Sequence, residues 1–187
     1  MEDKEKRILK SAQQFFFRYG FKKTSLDEVA EDVGIGKGTI YNYFKNKEDL
    51  FIRHAESMQQ EMFGELDEQL AHLKKADEKL MFSILHVLRH IRKKRELFAM
   101  SKTVLEEMVS MSLKLMNNHP EHKKRTIELL QEGCSQGIFK IEDIVKTAEL
   151  LNQIVKMFIL RWATMDTQTT ETEIKDIFEL IFNGIRS

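Results

Sequence analysis

The sequence predicts an all-α protein of about nine helices: an N-terminal three-helix helix-turn-helix domain over 1–46 and a larger helical domain over 47–187. Three observations lead there. One proline and eight glycines in 187 residues leave too few breakers for the dense turns of a β sandwich. Apolar residues recur at three- and four-residue spacing through most of the chain. Near the N-terminus, two short segments of this kind are separated only by Gly34-Ile35-Gly36, the interval of a helix-turn-helix.

The first helix carries Ile8, Leu9, Ala12, Phe15, Phe16 and Tyr19 as its apolar stripe and ends at Gly20. Phe17 falls off that stripe and is either exposed or in touch with the second domain. The segment 24–33 starts on a capping box, Ser25-Leu26-Asp27-Glu28, in which Ser25 accepts from the Glu28 amide and Glu28 reaches back. Leu26, Val29, Ala30 and Val33 form its buried stripe. The pattern resumes as a second helix over 37–44, with Ile40 and Phe44 toward the core. Asn46 then caps a long helix whose first turn holds Glu48 and Asp49, where the helix dipole favours acids. It runs to about residue 73, and no flexible linker separates it from the helix-turn-helix. Further helical patterns follow over about 78–93, 97–116, 121–136, 143–165 and 171–185.

Charge and cysteine usage narrow the functional classes. The 30 basic and 30 acidic side chains cancel, so a polyanion site must be local. The window 34–47 holds three lysines, Lys37, Lys45 and Lys47, and no acid. A single cysteine, Cys134, excludes an internal disulfide or a zinc ribbon and suits a reducing cytosol. No secretory signal or membrane-spanning run is visible, so the expected localisation is cytoplasmic. No nucleophile triad, phosphate loop or paired-acid motif has a supporting context, so an enzyme is not expected, nor is a cofactor.

A helix-turn-helix lays its second helix in the major groove of double-stranded DNA. With Ile40 and Phe44 turned inward, Lys37, Thr39, Asn42 and Tyr43 face outward. Lysine can donate to guanine O6 and N7, asparagine can pair with adenine, and a threonine methyl can meet that of thymine. Gly38 allows close backbone approach. Tyr41 is compatible with a ring packed inward or a hydroxyl reaching DNA.

The stretch Arg7-Ile8-Leu9, Ala12, Phe16, Gly20-Phe21, Thr24-Ser25, Val29-Ala30, Val33-Gly34-Ile35 leads into Gly38-Thr39-Ile40-Tyr41-Asn42-Tyr43-Phe44-Lys45-Asn46-Lys47-Glu48-Asp49-Leu50. In content and spacing, residues 7–51 resemble the N-terminal domain of the TetR family of bacterial transcriptional regulators. The resemblance implies that Ser25 or Thr24, Tyr43 and Lys47 hold phosphates, which fixes register without reading sequence. It also implies a ligand-responsive regulator, a repressor, that binds a palindromic operator as a homodimer, with 47–187 as its ligand-binding and dimerisation domain. Two other readings stay open: an architectural or protein-responsive DNA binder with no small-molecule inducer, and an interaction protein that keeps the fold but not DNA binding.

The second domain is rich in Phe and Met. This is either an ordinary helical core or an adaptable pocket for a small apolar or aromatic ligand. The candidate lining is Phe82, Leu85, Phe98 and Met108, with Met157, Phe158 and Trp162 from a later helix. Phe178 and Phe182 on the last helix lack partners once that core is filled, which points to a four-helix dimer interface. His86 and His90 have an i,i+4 metal-binding spacing. A helical wheel turns both well away from the apolar face, and no carboxylate or cysteine joins them locally, so no metal site is expected. Arg92-Lys93-Lys94-Arg95 reads as a solvated helix end, and Cys134 as packing.

Overall fold

The computed structural model describes residues 2–115, 120–164 and 171–185. Among these it contains nine α-helices: α1 (Glu2–Tyr19), α2 (Leu26–Val33), α3 (Lys37–Tyr41), α4 (Lys47–Leu70), α5 (Ala76–Leu97), α6 (Lys102–Leu115), α7 (Pro120–Ser135), α8 (Ile144–Thr164) and α9 (Glu171–Ile185). Among the described residues no helix is long and apolar enough to cross a membrane. The chain forms two compact units, Met1–Met62 with Arg92–Asn117, and Phe63–Ile91 with Asn118–Ser187. Helices α4 and α5 each contribute to both.

The first unit is built around α1. Its stripe buries Ile8, Ala12 and Phe16 completely, and Val29 of α2, Ile40 of α3 and Leu50 of α4 are likewise fully buried; α1 packs on α2 and α6. Phe16 lies edge-on to Phe51, with ring centroids 5.3 Å apart. Phe17 is buried too, edge-on to Phe98 at 4.8 Å, so its position off the main stripe serves a second contact. Polar ties fix α1 to the end of α2: the Arg7 guanidinium donates to the Val33 carbonyl at 3.0 Å, and the Ser11 hydroxyl to Asp32 at 2.6 Å. Glu107 of α6 accepts from the Lys22 amide at 2.8 Å.

The second unit packs Leu80, Ile84 and Leu85 of α5, Leu130 of α7, Ala148, Leu151 and Phe158 of α8, and Ile174, Phe178 and Phe182 of α9 into one core. Phe178 and Phe182 are 0% and 1% exposed. This corrects the expectation that they await a partner molecule, since Phe158 and Phe139 supply their neighbours within the chain. At the rim, Arg125 of α7 grips Asp67 of α4 through two hydrogen bonds of 2.5 and 2.9 Å while its guanidinium lies over Phe63. The paired geometry raises the Arg125 pKa and lowers that of Asp67, the hydrogen bond being the larger cause in each.

Several boundaries differ from the sequence pattern: α4 ends at Leu70, not at about 73, and α6 starts at Lys102, not at about 97. Helix α3 stops at Tyr41, not at residue 44: the Tyr43 and Phe44 amides both fold back onto the Ile40 carbonyl, forming a tight turn that still buries Phe44. A run of β-branched and aromatic residues is a poor helix former, so burial of Phe44 and the cap at Asn46 decide the path. Helix α5 continues four residues past 93, to Leu97.

Candidate nucleic-acid interface

The helix-turn-helix is assembled by local signals. Ser25 caps α2: its hydroxyl accepts from the Glu28 amide at 3.3 Å, and the Glu28 carboxylate accepts from the Ser25 amide at 2.9 Å. At the far end the Gly34 amide bonds Glu31 and the Ile35 amide bonds Ala30, the paired bonds of a Schellman motif. That motif needs a left-handed residue, and Gly34 supplies it at φ 73°. The chain therefore leaves α2 at a fixed angle and enters α3 two residues later. On the other side Asn46 accepts from the Asp49 amide at 2.8 Å, and the Asp49 carboxylate accepts from the Lys45 amide at 2.8 Å.

Within this frame α3 is divided sharply. Ile40, and Phe44 just beyond the helix, are fully buried. Lys37, Gly38, Tyr41 and Asn42 are exposed, and Thr39 and Tyr43 are half-buried. Tyr41, at 53% exposed, thus points outward. Gly38 has nothing within 4 Å of where a Cβ would stand, so its outer surface is open.

The flanking residues are held in place. Thr24 is buried and its hydroxyl donates to the Gly20 carbonyl at 2.8 Å, whereas Ser25 is exposed. The Lys47 ammonium sits over the Phe21 ring at 4.6 Å and donates to the Lys22 carbonyl at 3.2 Å, so a long flexible side chain is fixed at the start of α4. Arg53 spans Glu5, the Phe44 ring and the Tyr43 carbonyl, to which it donates at 3.0 Å, and it positions the turn after α3. Sequence patterns do not reveal that role, because its partners come from separate segments. They also leave Lys37 unpaired, yet its ammonium meets Asp27 at 2.7 Å. The hydrogen bond to that carboxylate, then its charge, raises the Lys37 pKa. The exposed Lys22 and Lys23, in the turn before α2, add cations beside this surface.

The other candidate set is distributed over both units. Leu85 and Phe158 are buried in the core of the second unit. Phe82 is half-buried and stacks on His86 at 6.0 Å. Met157 is 57% exposed, one residue from the buried Phe158 on α8. Phe98 and Met108 belong to the first unit. The side chain of Trp162 lies outside those described.

His90 also departs from its wheel placement. It is only 8% exposed, and Glu65 of α4 brings a carboxylate to the His86 and His90 pair. A single-helix wheel cannot register a neighbour twenty-one residues upstream of His86.

The sequence model for bacterial regulatory proteins of the tetR family matches residues 8–53, the segment that contains the whole helix-turn-helix and the cap of α4. Over 183 residues the chain is 26% identical to the uncharacterized HTH-type transcriptional regulator YhgD of Bacillus subtilis, covering 95% of this chain and 94% of that one. It is 22% identical over 187 residues to the fatty acid metabolism regulator protein of the same organism, covering 97% and 95%. The solved structure of the fatty acid degradation regulator FadR from Bacillus halodurans superposes with a TM-score of 0.74 at 22% identity, covering 96% and 94%. The motif, the surface it presents and these likenesses agree: residues 8–53 form a helix-turn-helix domain of the tetR family, and along its length the chain is similar to HTH-type transcriptional regulators.

Proposed function

We propose that the protein is a ligand-responsive repressor that binds a palindromic operator as a homodimer. The observation that carries the DNA-reading half is the division of α3: Ile40 and Phe44 at 0% exposure beneath an outward set of Lys37, Gly38, Thr39, Tyr41 and Asn42. Lys37 and Asn42 read base edges, while Ser25, Tyr43 and Lys47 hold phosphates. In this reading Asp27 stores the Lys37 ammonium until a base edge or phosphate replaces the carboxylate.

Support for the dimer comes from α8 and α9. Leu150, Met157 and Leu160 on α8 are 51%, 57% and 42% exposed, and they repeat at intervals of seven and three residues. Leu180 on α9 is 73% exposed, beside Ile177 at 37%. Large apolar side chains in rows on two adjoining elements of the chain suit a self-complementary interface.

The ligand class rests on the apolar character of the second unit and on relatives concerned with fatty acid metabolism and degradation. A compound with a long acyl chain fits both. The operator is obtained by selection from random duplexes, and binding to it is then titrated by fluorescence anisotropy with and without fatty acids and acyl thioesters. Release of the operator by an acyl compound supports the full reading. Specific binding that no compound alters favours a DNA binder without an inducer.

A further inference from the structure

The geometry points to a divalent transition-metal site formed by Glu65, His86 and His90 in the second unit. One ligand atom from each residue, an imidazole nitrogen or a carboxylate oxygen, lies within 4.8 Å of the other two. His86 and His90 stand one turn apart on α5, with ring centroids 6.4 Å from each other, and Glu65 approaches from α4. The Nε2 atom of His86 is buried and has no hydrogen-bond partner. Such an atom loses its hydration on folding and gains nothing in exchange, unless an ion or a polar ligand meets it. Phe82 stacks on the His86 ring and limits its rotation.

Two imidazoles and one carboxylate form a donor set suited to Zn²⁺ or a similar borderline ion. At metal–ligand distances of about 2.0–2.2 Å, tetrahedral ligand atoms stand about 3.3 Å apart. The triad must therefore contract by about 1.5 Å at its widest. Glu65 is exposed, and its carboxylate is free to swing inward. Three protein ligands leave the fourth position to water. The ion would cross-link α4 to α5 within this unit and stabilise it by mass action.

The test uses untagged full-length protein, equilibrated with Zn²⁺ and then freed of unbound metal, with Co²⁺ as an optical probe of coordination. The expected result is one equivalent of Zn²⁺ per chain, removable by EDTA, a visible Co²⁺ spectrum and a metal-dependent rise in melting temperature. His86→Gln and Glu65→Gln should each weaken binding about tenfold or more, and His72→Ala, at an exposed site on no part of the triad, should leave it unchanged. His86 is only half-buried, so circular dichroism is expected to show the wild-type helix content in His86→Gln. No stoichiometric uptake by the wild-type protein, or uptake of equal affinity in His86→Gln, overturns the proposal.

Discussion

His54 is packed against Phe16, Phe17 and Phe51, and its ring is 3% exposed. Burial, reinforced by the charge of Lys94, lowers its pKa to about 3. The unfolded chain takes up a proton near pH 6.5 and the folded chain does not, so stability is complete above that value and falls as pH drops toward 3. The loss attributable to His54 should reach about 2 kcal/mol between pH 7.5 and 5. Urea midpoints measured across this range for the wild type and His54→Leu check it: the variant should show the smaller decline. On the proposed DNA-binding surface, Lys47 is fixed between the Phe21 ring and the Lys22 carbonyl. Lys47→Ala should weaken binding to all duplexes alike and lower the log–log salt slope by about one, readable by anisotropy at several salt concentrations.

Helix ends show where sequence reading succeeds. Ser25, Gly34 and Asn46 mark their boundaries because the bonds that set them are made within five residues, among residue types suited to the task. The end of α5 is set by the same geometry with a different residue. The Ala99 amide bonds Glu96 and the Met100 amide bonds Arg95, which is again a Schellman pair, but its left-handed position is Ala99 at φ 46°. Without a glycine there the end at Leu97 carries no stop signal, and the basic run 92–95 reads as the helix end instead. Ala99→Gly relieves a left-handed alanine and should raise stability by up to about 1 kcal/mol, visible in the denaturation midpoint. Gly133 on α7 illustrates a close approach. A Cβ there would run into the ring of the buried Phe139, which the chain brings back just after α7 ends. Gly133→Ala should cost about 1–3 kcal/mol in chemical denaturation, as expected of an overpacked core. The spacing Glu132-Gly133 to Gly137-Ile138-Phe139 is legible in the sequence; the contact that requires it is not.

At the scale of the whole molecule, local pattern carried the helix-turn-helix surface, while the larger domain depended on contacts between distant segments. Phe178 and Phe182 satisfy each other and Phe158 inside the chain, and among the described residues the large apolar side chains left exposed on α8 and α9 are Val145, Leu150, Met157, Leu160, Ile177 and Leu180. Helical periodicity identifies an apolar stripe but does not say which of two stripes would meet the second copy in the proposed homodimer. Leu180→Glu should therefore leave helix content unchanged and shift sedimentation toward the monomer, whereas Phe178→Ala should destabilise the fold itself by about 3–5 kcal/mol.

The central claim is that the outward residues of α3 read bases while its flanks hold phosphates. The direct measurement is anisotropy of the wild type and Asn42→Ala on a selected palindromic duplex and on a scrambled duplex of equal length and salt. The account predicts a loss of about 1–3 kcal/mol on the palindrome for Asn42→Ala, with affinity for the scrambled duplex nearly unchanged. Equal losses on both duplexes, or no loss on the palindrome, would contradict it.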